Sequence, residues 1–140
     1  MSVGLLLVTH EGVGSILLET ACNMLGRCPV RAANVEVTLA ADTDEMCAVA
    51  AREIAALDVG DGVLVLTDMY GSTPSNVAAS LGREGRVVVV AGLNLPMLVR
   101  VLNYPEDTLA ALADKAVSGG NRGILICNGP AEPRPRDVLP

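Results

Sequence analysis

The chain has 140 residues, 51% of them hydrophobic, which is enough for one domain with a substantial core. There is no Phe or Trp, so aliphatic side chains must fill that core. A net charge of −6, with Lys and Arg scattered singly, argues against partners such as nucleic acid or an anionic membrane. The N-terminus lacks the basic region and the apolar length of a signal peptide or a membrane span, which predicts a cytoplasmic protein.

Strands and helices are predicted to alternate along the chain. Unbroken or alternating apolar runs predict strands over 3–8, 33–39, 62–67 and 86–91. Apolar residues at helical spacing predict helices over 12–27, 42–57, 74–81, 97–102 and 108–118. The face of the first helix that is predicted to cover the sheet comprises Ile16, Leu17, Thr20, Ala21, Met24 and Leu25.

This order predicts a single-domain α/β fold with an open, mainly parallel sheet and helices on both faces, because parallel strands need helical crossovers. A further short strand is predicted over 123–127, after a break at Gly119-Gly120-Asn121. The tail, 129–140, holds four prolines among charged residues and no apolar period, so we expect it to be disordered.

The cysteines show no spacing that indicates a site. Cys22, Cys28, Cys47 and Cys127 lack the paired Cys-x-x-Cys pattern of a zinc centre, and we expect reduced thiols. With one histidine and no carboxylate cluster, a metal site is not predicted either.

Polar residues follow several of the predicted strands. His10, Asp68 and Asn94 come at the carboxyl ends of the first, third and fourth strands, which lie along one rim of a parallel sheet. After Asp68, the sequence predicts a helix start with Thr73 as N-cap and Pro74 at the first helical position. The amides of Ser75 and Asn76 are then expected to point outward and to bind an anion.

These residues favour a nucleophilic histidine. A carboxylate that accepts from one ring nitrogen leaves the other nitrogen free to attack, and phosphoryl transfer needs little beyond positioning and charge stabilisation. Other sites fit poorly: the Gly12-x-Gly14 pair lacks the third glycine of a dinucleotide fingerprint, Leu17 standing in its place. Ser72 lies outside the Gly-x-Ser-x-Gly pattern of hydrolases. The simplest hypothesis is a phosphohistidine carrier that needs no cofactor.

Three motifs carry a resemblance to a known family. They are Thr9-His10-Glu11-Gly12, the segment Asp68-Met69-Tyr70-Gly71-Ser72-Thr73-Pro74-Ser75-Asn76, and Ala91-Gly92-Leu93-Asn94-Leu95-Pro96-Met97-Leu98. With these motifs the chain resembles, over residues 1–128, the enzyme IIA domain of the mannose-type (mannose/fructose/sorbose) sugar phosphotransferase system. A phosphotransfer subunit of dihydroxyacetone kinase is similar as well, but Pro74 and the Asn94-Leu95-Pro96-Met97 segment favour the mannose type.

The resemblance implies roles for the rim residues. His10 would take a phosphoryl group from the histidine-containing phosphocarrier protein and pass it to a IIB component, with Asp68 as its orienting partner. The family loop commonly reads Gly-Gly-Ser-Pro; here Thr73 supplies the hydroxyl before Pro74, and Ser72 replaces the second glycine. We expect phosphate contacts from Ser72, Thr73, Ser75 and Asn76, and a rim formed by Tyr70, Asn94, Pro96 and Met97.

The resemblance also implies a homodimer, in which the last strand pairs antiparallel at a sheet edge and is exchanged between subunits. Two functional classes remain open at this point. One is the phosphotransferase component, which requires His10 to accept phosphate. The other is a non-catalytic regulatory or binding module that uses the same rim to recognise a protein partner or a small anion.

Overall fold

A parallel β-sheet forms the centre of the molecule. The computed structural model describes residues 2–131. Within them lie the strands β1 (Gly4–His10), β2 (Ala32–Val37), β3 (Val63–Thr67) and β4 (Val87–Ala91). The order across the sheet is β2-β1-β3-β4, and each neighbouring pair is parallel. The predicted α/β fold is confirmed.

Helices cover both faces of this sheet. They are α1 (Val13–Leu25), α2 (Thr43–Leu57), α3 (Thr73–Ala79), α4 (Leu95–Leu102) and α5 (Leu109–Arg122). One apolar core joins α1, α4 and α5 to one face, and a second core joins α2 and α3 to the other. The two central strands are therefore apolar on both sides: Leu5 and Leu7 face the first core, whereas Leu6 and Val8 face the second.

The buried face of α1 agrees only in part with the predicted one. Ile16 and Met24 are 64% and 62% exposed, and Thr20 is exposed as well. The other three predicted residues do face the core: Ala21 is fully buried, and Leu17 and Leu25 pack against it. Gly14, which was not predicted, is buried as well. A Cβ atom on Gly14 would lie 2.5 Å from Asn34 Oδ1, so this end of the helix approaches the sheet too closely for any side chain. Periodicity located the helix and half of its buried face, but it missed the close approach at Gly14.

Helix α5 continues past the predicted break and ends at Arg122. Gly119 and Gly120 are buried inside the helix rather than ending it. A Cβ atom on Gly119 would lie 2.7 Å from Arg100 Cβ, and one on Gly120 would lie 3.0 Å from Met97 Cε. These glycines therefore serve the close packing of α5 against α4, which sequence pattern alone could not distinguish from a helix stop.

The segment after α5 is not a strand in the single chain. Residues 124–127 pair with no strand among those described, and Ile124, Leu125 and Ile126 are 73%, 58% and 93% exposed. Pairing or exchange of this segment between subunits stays a prediction. The remainder of the predicted tail, 132–140, lies outside the described residues.

Two cysteines are joined rather than reduced. A disulfide links Cys22, in the last turn of α1, to Cys28, with the two Cα atoms 4.9 Å apart. Gly26, in the left-handed conformation at φ 73°, ends α1 and turns the chain back toward Cys22. The prediction of reduced thiols was wrong for this pair because the turn, not the spacing, brings them together; Cys47 and Cys127 are free.

Candidate active site

His10 and Asp68 meet at the carboxyl edge of the sheet. His10 ends β1 and Asp68 directly follows the neighbouring strand β3. One oxygen of Asp68, Oδ2, accepts from both the backbone amide of His10, at 3.0 Å, and the ring nitrogen Nδ1, at 2.7 Å. Its other oxygen, Oδ1, accepts from the amide of Met69 at 3.0 Å. The carboxylate thus fixes both the main chain and the ring of His10.

The ionisation of Asp68 determines the state of the ring. Partial burial acts to raise the pKa of Asp68, but the hydrogen bonds from the His10 amide and ring, together with charge attraction to His10, outweigh it and lower the pKa. An ionised carboxylate only accepts hydrogen bonds, so Nδ1 must carry a proton. The lone pair is then on Nε2, and the side chain is 44% exposed to solvent. The arrangement suits a nucleophile that attacks through Nε2.

The topology explains why these two residues meet. From β1 the chain crosses to β2 on one side, whereas β3 and β4 follow on the other side. At such a switch point, the loops after two adjacent strands diverge and leave a crevice where α/β folds bind ligands. His10 and Asp68 lie on the two sides of this crevice, as their positions after strands had indicated.

A buried threonine binds the main chain of His10. Thr9 is fully buried; its Oγ1 donates to the His10 carbonyl at 2.9 Å and accepts from the Gly14 amide at 2.9 Å. The hydroxyl thereby connects the end of β1 to the first turn of α1. No role was predicted for Thr9, because a threonine at the end of a strand carries no specific signal.

The loop after Asp68 differs from the prediction by one residue. Ser72, not Thr73, is the N-cap of α3, and its Oγ accepts from the Ser75 amide at 3.4 Å. The Asn76 amide donates to the Ser72 carbonyl at 2.9 Å, so the two amides that were expected to bind an anion are engaged within the helix. Gly71, at φ 85°, makes the turn that places Ser72 there. Ser75 is buried, its Oγ accepting from the Gly71 amide, and the side chain of Asn76 is exposed.

A recess lies beside the His10 ring. It has a volume of about 190 Å³ and is lined by His10, by the loop between β2 and α2, and by the start of α3. Three threonines contribute to the lining: Thr38, Thr43 and Thr73. Thr73 was a predicted site residue, whereas Thr38 and Thr43 were missed, because their proximity to His10 depends on how the loop after β2 folds over the sheet.

The residues that follow β4 do not all reach the rim. Asn94 is the N-cap of α4: its Oδ1 accepts from the Met97 amide at 2.9 Å, and its Nδ2 donates to the Gly120 carbonyl at 3.2 Å. Met97 is 3% exposed and belongs to the core, and Pro96 packs against Gly123. The predicted rim role was wrong for Met97, since this segment anchors α4 to α5. Tyr70, by contrast, is 87% exposed on the loop after Asp68.

Neither a metal centre nor a membrane span is found in the described part of the chain. No group of three His, Cys, Asp or Glu side chains among residues 2–131 is arranged to hold a metal ion. No helix in this range is long and apolar enough to cross a membrane.

Comparison with known proteins gives a family that agrees with this geometry. The profile of the family described as PTS system fructose IIA component, EIIA-man, matches residues 4–117. The chain belongs to this family. Over 127 residues, it is 28% identical to the mannose-specific EIIAB component of Escherichia coli (strain K12), a match that covers 89% of this chain and 39% of that protein. It therefore spans about two-fifths of that relative's length.

Two further IIA proteins are similar to this one. Over 68 residues, 47% of each chain, it is 47% identical to the fructose-specific EIIA component of Bacillus subtilis (strain 168). The mannose/sorbose specific IIA subunit from Enterococcus faecalis superposes with a TM-score of 0.80 at 27% identity, covering 95% of this chain and all of that one. The mannose-type IIA resemblance noted in the three motifs is confirmed.

Proposed function

We propose that this IIA protein is a phosphohistidine carrier, in which Nε2 of His10 receives a phosphoryl group and passes it on. The observation that carries the proposal is the 2.7 Å contact between Nδ1 and the ionised Asp68, which leaves Nε2 as the free ring nitrogen. Membership in a family of phosphotransferase system components supports the same chemistry. His10 is the only histidine in the chain, so no other residue offers an imidazole.

The proposed step moves one phosphoryl group between two imidazoles. The Nε2 lone pair of His10 attacks the phosphorus of the donor's phosphohistidine, a P–N bond forms to His10, and the P–N bond to the donor breaks. The donor imidazole leaves with the electron pair of that bond. Positive charge develops on the His10 ring as the new bond forms, and the Asp68 carboxylate on Nδ1–H stabilises it.

The recess beside the ring is the place we assign to the oxygens of the phosphoryl group. Of the expected phosphate contacts, Thr73 lines this recess, whereas the Ser72 hydroxyl donates to the Met69 carbonyl at 2.6 Å and the Ser75 and Asn76 amides are engaged in α3. We therefore place the hydroxyl contact at Thr73. Passing the group to the acceptor reverses the same step, so the contacts must hold the phosphoryl group without trapping it.

For partners, we propose the histidine-containing phosphocarrier protein as donor and a IIB component as acceptor. Exposed apolar residues on the loops at the carboxyl edge suit a protein surface that docks there: Leu39 is 105%, Met69 64% and Tyr70 87% exposed. We further propose a cytoplasmic homodimer, with the exposed 124–126 segment at the subunit interface. The domain assignment, a IIA domain over 1–128 and a tail over 129–140, belongs to the same proposal.

The decisive experiment is intact-mass analysis after incubation with phosphoenolpyruvate, enzyme I and the phosphocarrier. The protein should be free of a histidine tag, because His10 is then the only possible site of phosphohistidine. We expect one added phosphoryl group that is lost in acid and that is absent from His10→Ala. Omission of the phosphocarrier tests the donor, and subsequent addition of a IIB protein tests the acceptor. No addition with cognate donors would reject the carrier and favour the non-catalytic binding module.

A further inference from the structure

Glu36 makes an unexpected contact with the loop that follows His10. It lies near the end of β2, within the strand predicted over 33–39. Its Oε2 accepts from the backbone amide of Gly12, two residues after His10, and from the Ser15 hydroxyl at 3.3 Å. A glutamate side chain from the neighbouring strand thus holds the turn between β1 and α1.

Helix α1 cannot provide this contact itself. Its N-cap, Gly12, has no side chain to accept from the first-turn amides, and the first turn contains no acidic residue. Gly12 also has φ 85°, a conformation that side chains disfavour, so a capping residue could replace it only with strain. Glu36 supplies both a hydrogen-bond acceptor and a negative charge at this helix start, the end at which negative charge is favourable.

The contact reaches His10 only through the backbone. In the register of β1 with β2, Thr9 is opposite Glu36, and His10 is opposite Val37. Because successive side chains of a strand point to opposite faces, Glu36 and Thr9 lie on the α1 face. The His10 ring lies on the other face, where it lines the recess together with Val37. Glu36 and the reacting nitrogen of His10 therefore lie on opposite faces of the sheet.

We propose that Glu36 is a positioning residue for phosphoryl transfer, which holds the turn at Gly12 so that the His10 ring keeps its orientation toward Asp68. The inference rests on the proposed carrier function. Asp68 binds the amide and ring of His10, Thr9 binds its carbonyl, and Glu36 fixes the turn two residues on. Without Glu36, the contacts of Asp68 and Thr9 and the pairing of β1 with its neighbours still hold His10, but the turn after it loses its side-chain contact.

Removal of this contact should affect the transfer step more than donor binding. A misplacement of about 1 Å in a reacting group costs up to roughly 100-fold in rate, so we expect Glu36→Ala to slow single-turnover phosphoryl acceptance about 10- to 100-fold. The KM for the phosphocarrier should stay unchanged, since Glu36 lies on the face opposite the recess. Glu36→Gln keeps an acceptor for the Gly12 amide but loses the charge, and should fall between wild type and Glu36→Ala.

The test compares rapid-quench phosphorylation of wild type, Glu36→Ala, Glu36→Gln and a matched control, Glu19→Ala. Glu19 is an exposed carboxylate on α1 whose side chain makes no hydrogen bond or ion pair with another described residue. Ser15→Ala removes one of the two groups that donate to Glu36 and should have a smaller effect than Glu36→Ala. Amide hydrogen exchange at Gly12 and the ¹⁵N shifts of the His10 ring are recorded on the unphosphorylated proteins, together with the unfolding temperature of each variant.

The results separate positioning from other roles. Slower transfer in Glu36→Ala with an unchanged KM, partial recovery in Glu36→Gln and faster exchange at Gly12 would support the proposal. A wild-type rate in Glu36→Ala, or an equal loss in Glu19→Ala, would overturn it. If Glu36→Ala does not fold, Glu36→Gln and Ser15→Ala decide: a normal rate in both refutes positioning. If wild type accepts no phosphate, the carrier function is rejected. The role of Glu36 is then tested by two measurements on the unphosphorylated proteins: amide exchange at Gly12 and the ¹⁵N shifts of the His10 ring.

Discussion

Replacement of Asp68 by Asn gives the sharpest test of how His10 is activated. The substitution keeps the shape of the side chain but removes its charge and makes one of its two ends a donor. In the wild type, Oδ2 accepts two hydrogen bonds from His10 and Oδ1 accepts one from the Met69 amide. An asparagine cannot reproduce all three: if its oxygen faces His10, its NH₂ group opposes the N–H of Met69.

The size of the effect follows from the contact that is lost. A hydrogen bond to a charged group contributes about 1.5–3 kcal/mol net, and this bond strengthens as positive charge develops on the ring. If that whole contribution is absent from the transition state, the rate of phosphoryl acceptance should fall roughly 10- to 150-fold, at about 1.4 kcal/mol for each factor of ten. In the flipped orientation, an NH₂ group facing Nδ1 would instead place the ring proton on Nε2 and block the attack.

Rapid-quench phosphorylation and ¹⁵N NMR of the His10 ring would measure both effects. Asp114→Asn is the matched control, because Asp114 is an exposed carboxylate on α5 whose side chain makes no hydrogen bond or ion pair with another described residue. A wild-type rate in Asp68→Asn would refute the assignment of Asp68 as the orienting and stabilising group. A ring proton on Nε2 in the wild type would contradict the argument that Nε2 is the nucleophile.

Three further predictions concern stability. Reduction of the Cys22–Cys28 disulfide, whose residues are six apart, should lower the free energy of urea unfolding by about 2 kcal/mol, and a double serine variant should show no response to reductant. Gly119→Ala should destabilise the protein by about 1 kcal/mol, because the overlap with Arg100 outweighs the better helix propensity of alanine. The control, Gly82→Ala, should be neutral because no atom crowds that position. Equal unfolding curves for the two variants would contradict the packing argument. The lowered pKa of Asp68 means that the folded state binds fewer protons than the unfolded state as the carboxylate titrates. The contribution of ionised Asp68 to the free energy of unfolding is therefore present above the ordinary carboxylate pKa, and it is lost as the pH falls through the lowered pKa. Wild type should therefore lose more stability than Asp68→Asn between neutral pH and about pH 3, and parallel pH profiles would contradict this.

Sequence pattern was most informative where a single physical rule applied. The apolar runs of β1 and β3 are buried on both faces, and parallel order places the ends of such strands on one edge. The meeting of His10 and Asp68 could therefore be predicted without coordinates. The start of the helix predicted from residue 42 is also confirmed: Asp42 is its N-cap, and its side chain accepts from the Asp44 amide at 2.9 Å.

The failures involve residues that serve two purposes. Glycine both ends helices and permits close packing, and the pattern at Gly119-Gly120 does not distinguish these uses; in α5 the packing use applies. The disulfide depends on a left-handed turn at Gly26, which the spacing of Cys22 and Cys28 does not indicate. The sequence pattern assigns Glu36 no partner, because the turn that it holds belongs to a different element.

The parallel sheet also separates the chemistry from the rest of the surface. Every loop that follows a strand lies at the edge that carries His10, whereas loops that precede strands lie at the opposite edge, across the length of the strands. The turn at Glu84 and Gly85 is exposed at that far edge, and such loop tips tolerate insertions. A fluorescent label or a fused reporter placed there would report the binding of partners near His10 without blocking their access.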